Sequence, residues 1–188
     1  MNIIFDNIVW MSFNVLLALL GLVLGIAFIY AKNKFLKIII FILWMLYLPN
    51  TIYLITDTQH FSEHWLELNL ILQLIMIIQY IILVFIGVAT FILSFYLLDK
   101  CLCQSRIKNN KTLIIILLLL TNYLVAFGVA LGRINRLNSI EAITHPIKVI
   151  ENSLSLISST EVILTVFVFG TLTNFLYFFL RKKIKIEM

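Results

Sequence analysis

Charged side chains are scarce in this sequence. They make up 12% of the 188 residues, whereas apolar types make up 62%; an ordinary soluble domain has roughly a quarter charged residues. A soluble domain of this size cannot bury so much apolar surface in one core. The scarcity of charge therefore excludes a soluble enzyme, a nucleic-acid-binding module and a disordered chain. It indicates an integral membrane protein that crosses the bilayer several times.

Residues that build metal or cofactor sites are also few. The sequence shows no Gly-rich phosphate loop and no Ser/His/Asp set. Cys101 and Cys103, expected in the loop after the third apolar run, are too few for a zinc site and too close in sequence for a good disulfide. His60, Glu63 and His64 fit the HxxEH pattern of inverted zinc peptidases, but no third ligand is evident. We therefore predict no cofactor and no metal site.

Five uncharged apolar runs dominate the chain, with no linker rich in proline or serine between them. They cover about residues 8–31, 38–56, 68–98, 112–132 and 162–180. Each run reaches the roughly 20 residues that a helix needs to cross about 30 Å of hydrocarbon. We therefore predict a single all-α domain over residues 1–188, a polytopic membrane protein with a bundle of five transmembrane helices. No internal repeat is visible, which disfavours a secondary transporter.

The positions of the basic residues predict the orientation of the bundle. Eleven of the fourteen Lys and Arg residues follow the first, third or fifth run: Lys32, Lys34, Lys37, Lys100, Arg106, Lys108, Lys111, Arg181, Lys182, Lys183 and Lys185. By the positive-inside rule these segments are cytoplasmic, so we predict a multi-pass protein of the cell membrane with the N-terminus outside and the C-terminus inside. The net charge of +5 then reflects topology and a weak attraction to anionic lipid. We expect the lipid bilayer as a partner and no nucleic acid.

The last predicted outer loop, residues 133–161, contains an amphipathic pattern. Its apolar residues recur at helical spacing: Ile143, Ile147, Ile150, Leu154 and Ile157. Pro146 suits the first turn of a helix. We predict a helix that lies on the outer membrane surface, although a helix packed over the mouth of the bundle fits the pattern equally well.

Two GxxxG patterns occur within the runs, at Gly21 and Gly25 and at Gly128 and Gly132. Small residues four positions apart allow two helices to approach closely. The pattern fits packing within the chain, and it also fits a seam in a homo- or hetero-oligomer.

Polar residues cluster where the second run reaches the predicted outer face. Asn50, Tyr53, Asp57 and His60 follow the spacing i, i+3, i+7 and i+10, which places them on one side of a helix. Pro49, inside the run, cannot donate a backbone hydrogen bond, so we expect the helix to kink there.

Two arginines lie at the outer end of the fourth run, against the positive-inside bias. Lysine is the usual cation of this chain, yet Arg133 and Arg136 fall within four residues of each other. A guanidinium offers carboxylate or phosphate a planar fork of donors, which an ammonium does not. These two residues are therefore the strongest candidates for binding an anion.

The same residues carry a family resemblance. The first motif is Leu48-Pro49-Asn50, Tyr53, Thr56-Asp57 and His60, and the second is Leu131-Gly132-Arg133, Arg136 and Asn138-Ser139. In order and spacing the chain resembles, over nearly its whole length, a bacterial membrane-protein family catalogued as domain of unknown function 1361. It departs from the usual pattern at Thr51-Ile52, where Ala-Pro is expected, and at Ile140-Glu141, where Trp-Asp is expected. The resemblance implies a fold and a motif set, and no activity.

Three interpretations of these residues remain open. Asp57 and Arg133 fit a structural ion pair between helices, in a non-enzymatic membrane subunit or assembly partner. Arg133 and Arg136 also fit a site for an anionic lipid headgroup or a lipid-linked envelope precursor, with Asn50, Tyr53 and Asn138 as orienting groups. A catalytic site would use Asp57 or His60 as its base. We favour the ligand site, and leave open whether the protein is an enzyme.

Overall fold

The computed structural model describes residues 3–62, 65–105, 107–135, 139–156 and 158–183. Eight α-helices run through these residues: α1 (Ile3–Tyr30), α2 (Lys34–Tyr47), α3 (Pro49–Thr56), α4 (Leu70–Cys103), α5 (Lys111–Asn135), α6 (Ser139–Thr144), α7 (Pro146–Leu156) and α8 (Thr160–Lys183). Two 3₁₀ helices, Asp57–Ser62 and Trp65–Glu67, connect α3 to α4. The described part of the chain contains no strand, as predicted.

Five segments are long and apolar enough to cross a membrane, which confirms the predicted number of spans. They are α1, α4, α5, α8 and the continuous stretch from α2 through α3 into the first 3₁₀ helix. The observed helices extend past the predicted runs at several ends. In particular, α4 ends at Cys103, so Cys101 and Cys103 lie in its last turn rather than in the following loop. The orientation of the bundle stays a prediction.

The second span is divided at Pro49. Because proline has no N–H to donate, α2 ends at Tyr47 and α3 begins at Pro49. Side chains bind the carbonyl groups at this break: the Asn50 amide donates to the Tyr47 oxygen at 3.0 Å, and the Thr51 hydroxyl donates to the Leu48 oxygen at 2.8 Å. The predicted kink is thus a break at which side chains bind two backbone carbonyls, as an apolar environment favours.

Helix α3 lies at the centre of the bundle, where it contacts α1, α4 and α5, while α8 packs along α5. Glycines make the close approaches possible. A Cβ on Gly25 would lie 2.7 Å from Trp44 Cε2, and one on Gly128 would lie 2.6 Å from Pro49 Cγ. At Gly21 a Cβ would meet the Tyr47 oxygen at 3.2 Å. Three of the four GxxxG glycines therefore pack against other helices of the same chain.

The predicted amphipathic segment forms α7, which begins at Pro146. None of its residues is buried, and its apolar side chains Ile147, Ile150 and Leu154 are exposed. Ile157 of the predicted pattern lies outside the described residues. An exposed apolar face is what a helix on the membrane surface would present to lipid, so of the two positions left open by the sequence, the structure favours this one.

Candidate functional site

A buried aspartate marks each end of the bundle. The Asp57 end is where α1 begins and α3 ends, and it is predicted to be outside. The Asp99 end is where α4 and α8 finish. At the Asp57 end a cavity of about 490 Å³ opens between the first turns of α1 and the 3₁₀ helix that follows α3; its lining residues are Ile3, Asp6, Asn7, Trp10, Asn14, Tyr53, Asp57 and His60. The volume is that of a small-molecule site.

Asp57 is the most buried charged group of this cavity, with 3% of its surface exposed. Its backbone caps α3 by donating to the Tyr53 oxygen. Its carboxylate oxygen Oδ2 accepts a hydrogen bond of 2.8 Å from the amide of Asn14, which reaches across from α1. The partner is polar but neutral, so it orients the carboxylate without balancing its charge.

Arg133 approaches the same turn from α5. Its Nη1 donates to the carbonyl oxygen of Thr56 at 3.1 Å, one residue before Asp57. The guanidinium carbon lies 5.9 Å from the ring centre of Phe169 on α8. The arginine thus lies where α3, α5 and α8 meet, beside the cavity rather than among its lining residues. The two charges are neighbours, and each has a neutral hydrogen-bond partner of its own.

The structure brings together some of the residues that the sequence predicted. Tyr53, Asp57 and His60 line one cavity, as their shared helical face predicts. Asn50 lies two turns from Asp57, and its amide donates to the break at Tyr47. Arg136 and Asn138 lie outside the described residues, as do Glu63 and His64 of the HxxEH pattern. Within the described part of the chain, no three His, Cys, Asp or Glu side chains group to hold a metal ion.

An aromatic cluster separates the cavity from an apolar groove. The Trp10 ring lies edge-on to His60, with centroids 5.9 Å apart, and to Tyr80 at 6.3 Å, while Phe61 lies 5.3 Å from Tyr80. The groove, about 500 Å³, is lined by Thr58, Phe61, Ile77, Tyr80, Ile81, Val84, Phe85 and Val88. One 3₁₀ helix therefore borders both spaces, with Asp57 and His60 facing the cavity and Thr58 and Phe61 facing the groove.

The residues of α1 that line one wall of the cavity were not identified from the sequence. Asn7, Trp10 and Asn14 follow the spacing i, i+3 and i+7 inside a run that was treated only as a span. The Trp10 indole donates to the Asn7 oxygen at 3.1 Å, and Asn14 binds Asp57. Polar residues at helical spacing in an apolar run were the signal that could have identified this wall.

A second buried carboxylate was missed at the opposite end. The third predicted run stopped at residue 98, one position before Asp99, whose side chain is fully buried. Arg181 donates to it twice, from Nε at 2.6 Å and Nη2 at 2.9 Å, and the Tyr177 hydroxyl donates at 2.8 Å. In the sequence, Arg181 was used only to predict the orientation of the bundle. The network clamps α8 to α4 by bidentate pairing.

Comparison with known proteins identifies the family. The family model described as protein of unknown function (DUF1361) matches residues 13–176. The chain belongs to this family, which confirms the resemblance stated from its motifs. No curated protein and no solved structure matches the chain.

Proposed function

We propose that this family member binds a phosphate-bearing headgroup, that of an anionic lipid or a lipid-linked envelope precursor, at the outer face of the cell membrane. The observation that carries the proposal is the cavity at the Asp57 end, next to the guanidinium of Arg133. A polar cavity at the end of five apolar helices is reached from the interface, where lipid headgroups lie. Amphiphilic molecules are therefore its most accessible ligands.

Arg133 supplies the contact for phosphate. A guanidinium carries five N–H donors in a fixed plane, and the bond from Nη1 to Thr56 holds that plane one residue from Asp57, which lines the cavity. Phosphate oxygens accept from such a fork in pairs. The proposal therefore assigns Arg133 two roles, in which one N–H ties α5 to α3 and others meet the ligand.

The apolar groove supports a lipid over a water-soluble ligand. It begins at Thr58 and Phe61, on the same 3₁₀ helix that carries Asp57 and His60, and continues along α4 to Phe85 and Val88. A headgroup in the cavity would leave an acyl or prenyl chain beside this groove. Burying that chain would add hydrophobic binding energy to the polar contacts.

Native mass spectrometry in a mild detergent tests the proposal by measuring retained phospholipid. In Arg133→Lys the ammonium can still donate to Thr56, so thermal melting should stay close to that of the wild type. The variant should nevertheless lose most bound lipid, because the planar fork is gone. Lys148→Ala removes an exposed cation from α7 at the same predicted face and should retain lipid. Unchanged lipid retention in Arg133→Lys would refute the ligand role.

One observation favours a second candidate function. The bond from Arg133 to Thr56 joins α5 to α3, as expected if the motif is structural and the protein is a non-enzymatic subunit that assembles with a partner. In that case Arg133→Ala lowers the melting temperature, Arg133→Lys restores it, and neither changes lipid retention. The native spectrum should then show a second polypeptide, or a second copy of this chain, in fixed stoichiometry without lipid.

A further inference from the structure

We infer that the headgroup carries a protonated amine as well as a phosphate, and that the amine enters the cavity and pairs with Asp57. This inference rests on the phosphate contact of the proposed function, and it replaces a purely anionic headgroup by one that also carries an amine. Its basis is the charge and chemistry of the cavity lining, which differ from those of a site built for an anion alone.

The cavity lining carries more acid than base. Asp6 and Asp57 both line it, and among the described lining residues none is Lys or Arg; His60 is the one group that can carry a positive charge. Two carboxylates repel a headgroup that bears only negative charge. They attract an ammonium, and an ammonium also donates the hydrogen bonds that carboxylates accept.

Asp57 is as deeply buried as a charge in an ion pair, yet its hydrogen-bond partner is neutral. Only 3% of its surface is exposed, and its Oδ2 accepts from the Asn14 amide. A carboxylate removed from water is costly unless a cation and further hydrogen bonds compensate it. At Asp99 the chain supplies that cation itself, in Arg181. At Asp57 the chain supplies the Asn14 amide as hydrogen-bond partner, and Arg133 and His60 act on the carboxylate as nearby charges rather than as a bidentate pair. The adjoining cavity of about 490 Å³ leaves space for a cation from the ligand.

The remaining lining groups suit an alkylammonium. Trp10 and Tyr53 are among the lining residues, and a cation over an aromatic ring gains electrostatic attraction from the π-face. The side-chain oxygen of Asn7, which accepts from the Trp10 indole, is a further acceptor in the same wall. A protonated amine on a short carbon chain therefore finds carboxylate, amide and aromatic contacts together.

The two charged groups of the protein lie at adjoining residues of one turn, which favours a zwitterionic headgroup. Arg133 binds the carbonyl of Thr56, and the carboxylate that faces the cavity belongs to the next residue, Asp57. A phosphate at the guanidinium and an amine at the carboxylate would thus lie on adjoining sides of one peptide unit. Phosphoethanolamine, with two carbons between phosphate and amine, is a simple headgroup that carries both charges.

A competition between two lipids tests the inference. The protein is equilibrated with equal amounts of phosphatidylethanolamine and phosphatidylglycerol of identical acyl chains, and the bound ratio is read by native mass spectrometry. We expect the wild type to prefer phosphatidylethanolamine by about tenfold, the size of one charge-assisted hydrogen bond. Asp57→Asn should abolish the preference. Asp6→Asn should reduce it in the same direction, and Glu151→Gln, which neutralises an exposed acid on α7, should leave it unchanged.

The outcomes separate the inference from the proposed function. If both lipids bind equally in the wild type and both are lost in Arg133→Lys, the amine inference is overturned and the phosphate site stands. If Asp57→Asn and Asp6→Asn keep the full preference, the inference is also overturned. If no lipid is retained, or retention is independent of Arg133, the proposed function itself fails.

A soluble probe identifies the source of the headgroup. Phosphoethanolamine is added to delipidated protein, and its occupancy is compared with that of phosphatidylethanolamine at the same concentration. We expect the lipid to bind at least about tenfold more tightly, because each buried methylene of its chains adds to the affinity. Equal binding of the two would overturn the assignment to a lipid and point to a water-soluble phosphate amine.

Discussion

Each end of the bundle buries one aspartate, and the two aspartates differ in their hydrogen-bond partners. Asp99 is fully buried and receives two N–H groups of Arg181 and the hydroxyl of Tyr177, at 2.6, 2.9 and 2.8 Å. Asp57 is 3% exposed and receives the Asn14 amide at 2.8 Å, beside an open cavity. One carboxylate is paired directly with a guanidinium, whereas the other is hydrogen-bonded to a neutral amide, with Arg133 and His60 nearby, and lines a cavity.

This difference separates a structural charge from a charge that can bind a ligand. A bidentate guanidinium in a packed interface fixes two helices relative to each other, and α4 and α8 meet in this way at Arg181. A carboxylate held by a neutral amide keeps its charge available to whatever enters the adjoining cavity. The comparison predicts that substitutions at the Asp99 end change mainly stability, while those at the Asp57 end change mainly binding.

The largest effect is expected from Arg181→Ala. It strands Asp99 without its cation, and breaking a buried pair in this way costs on the order of 3–5 kcal/mol. Thermal melting in detergent should show a large decrease in melting temperature, with lipid preference unchanged in the fraction that remains folded. Lys100→Ala is the matched control, because Lys100 is the exposed neighbour of Asp99 on the same helix. A decrease no larger than that of the control would show that the clamp contributes little to stability.

An intermediate effect is expected when each carboxylate loses its shortest hydrogen bond from a neutral donor. Tyr177→Phe removes the hydroxyl from Asp99, whose side chain is fully buried, so the loss should be about 1.5–3 kcal/mol, typical of a hydrogen bond to a charged group. Asn14→Ala removes the amide from Asp57, but the cavity admits water as a replacement donor, and we expect about 1 kcal/mol or less. The two free energies of unfolding are compared under one condition. An Asn14→Ala cost equal to that of Tyr177→Phe would contradict the difference between the ends.

The fold was predictable because apolar runs alone determine the spans. An uncharged run of about 20 residues has few stable alternatives to a membrane helix, and the five runs correspond to the five observed spans. The break at Pro49 followed equally directly from the missing N–H of proline. Tyr53, Asp57 and His60 were found because their spacing places them on one face, which is a local property of the chain.

What the sequence did not predict depends on pairing between distant residues. Asn14 meets Asp57 across 43 positions, and Tyr177 meets Asp99 across 78; no local pattern encodes either contact. Arg181 was assigned to topology because a cation at the end of a span serves both topology and ion pairing, and only the packing of α8 on α4 distinguishes the two. Asn50 shared the face of the cavity residues, yet the free carbonyl of Tyr47 at the proline break binds its amide.

A small effect on stability, no larger than that of Asn14→Ala, is expected from Asp57→Asn, and its comparison with Asp99→Asn tests the contrast most directly. At position 57 an amide oxygen can still accept from Asn14, and removal of the charge removes its desolvation cost. The free energy of unfolding should therefore change by about 1 kcal/mol or less, in either direction. Asp99→Asn keeps the shape but withdraws the charge that balances Arg181, whose side chain is 10% exposed, and should cost about 2–3 kcal/mol. Denaturant or thermal unfolding of the two delipidated variants beside the wild type measures both values. If Asp57→Asn is as costly as Asp99→Asn, Asp57 belongs to a structural ion pair with Arg133. The proposal that the cavity binds a ligand through Asp57 would then be wrong.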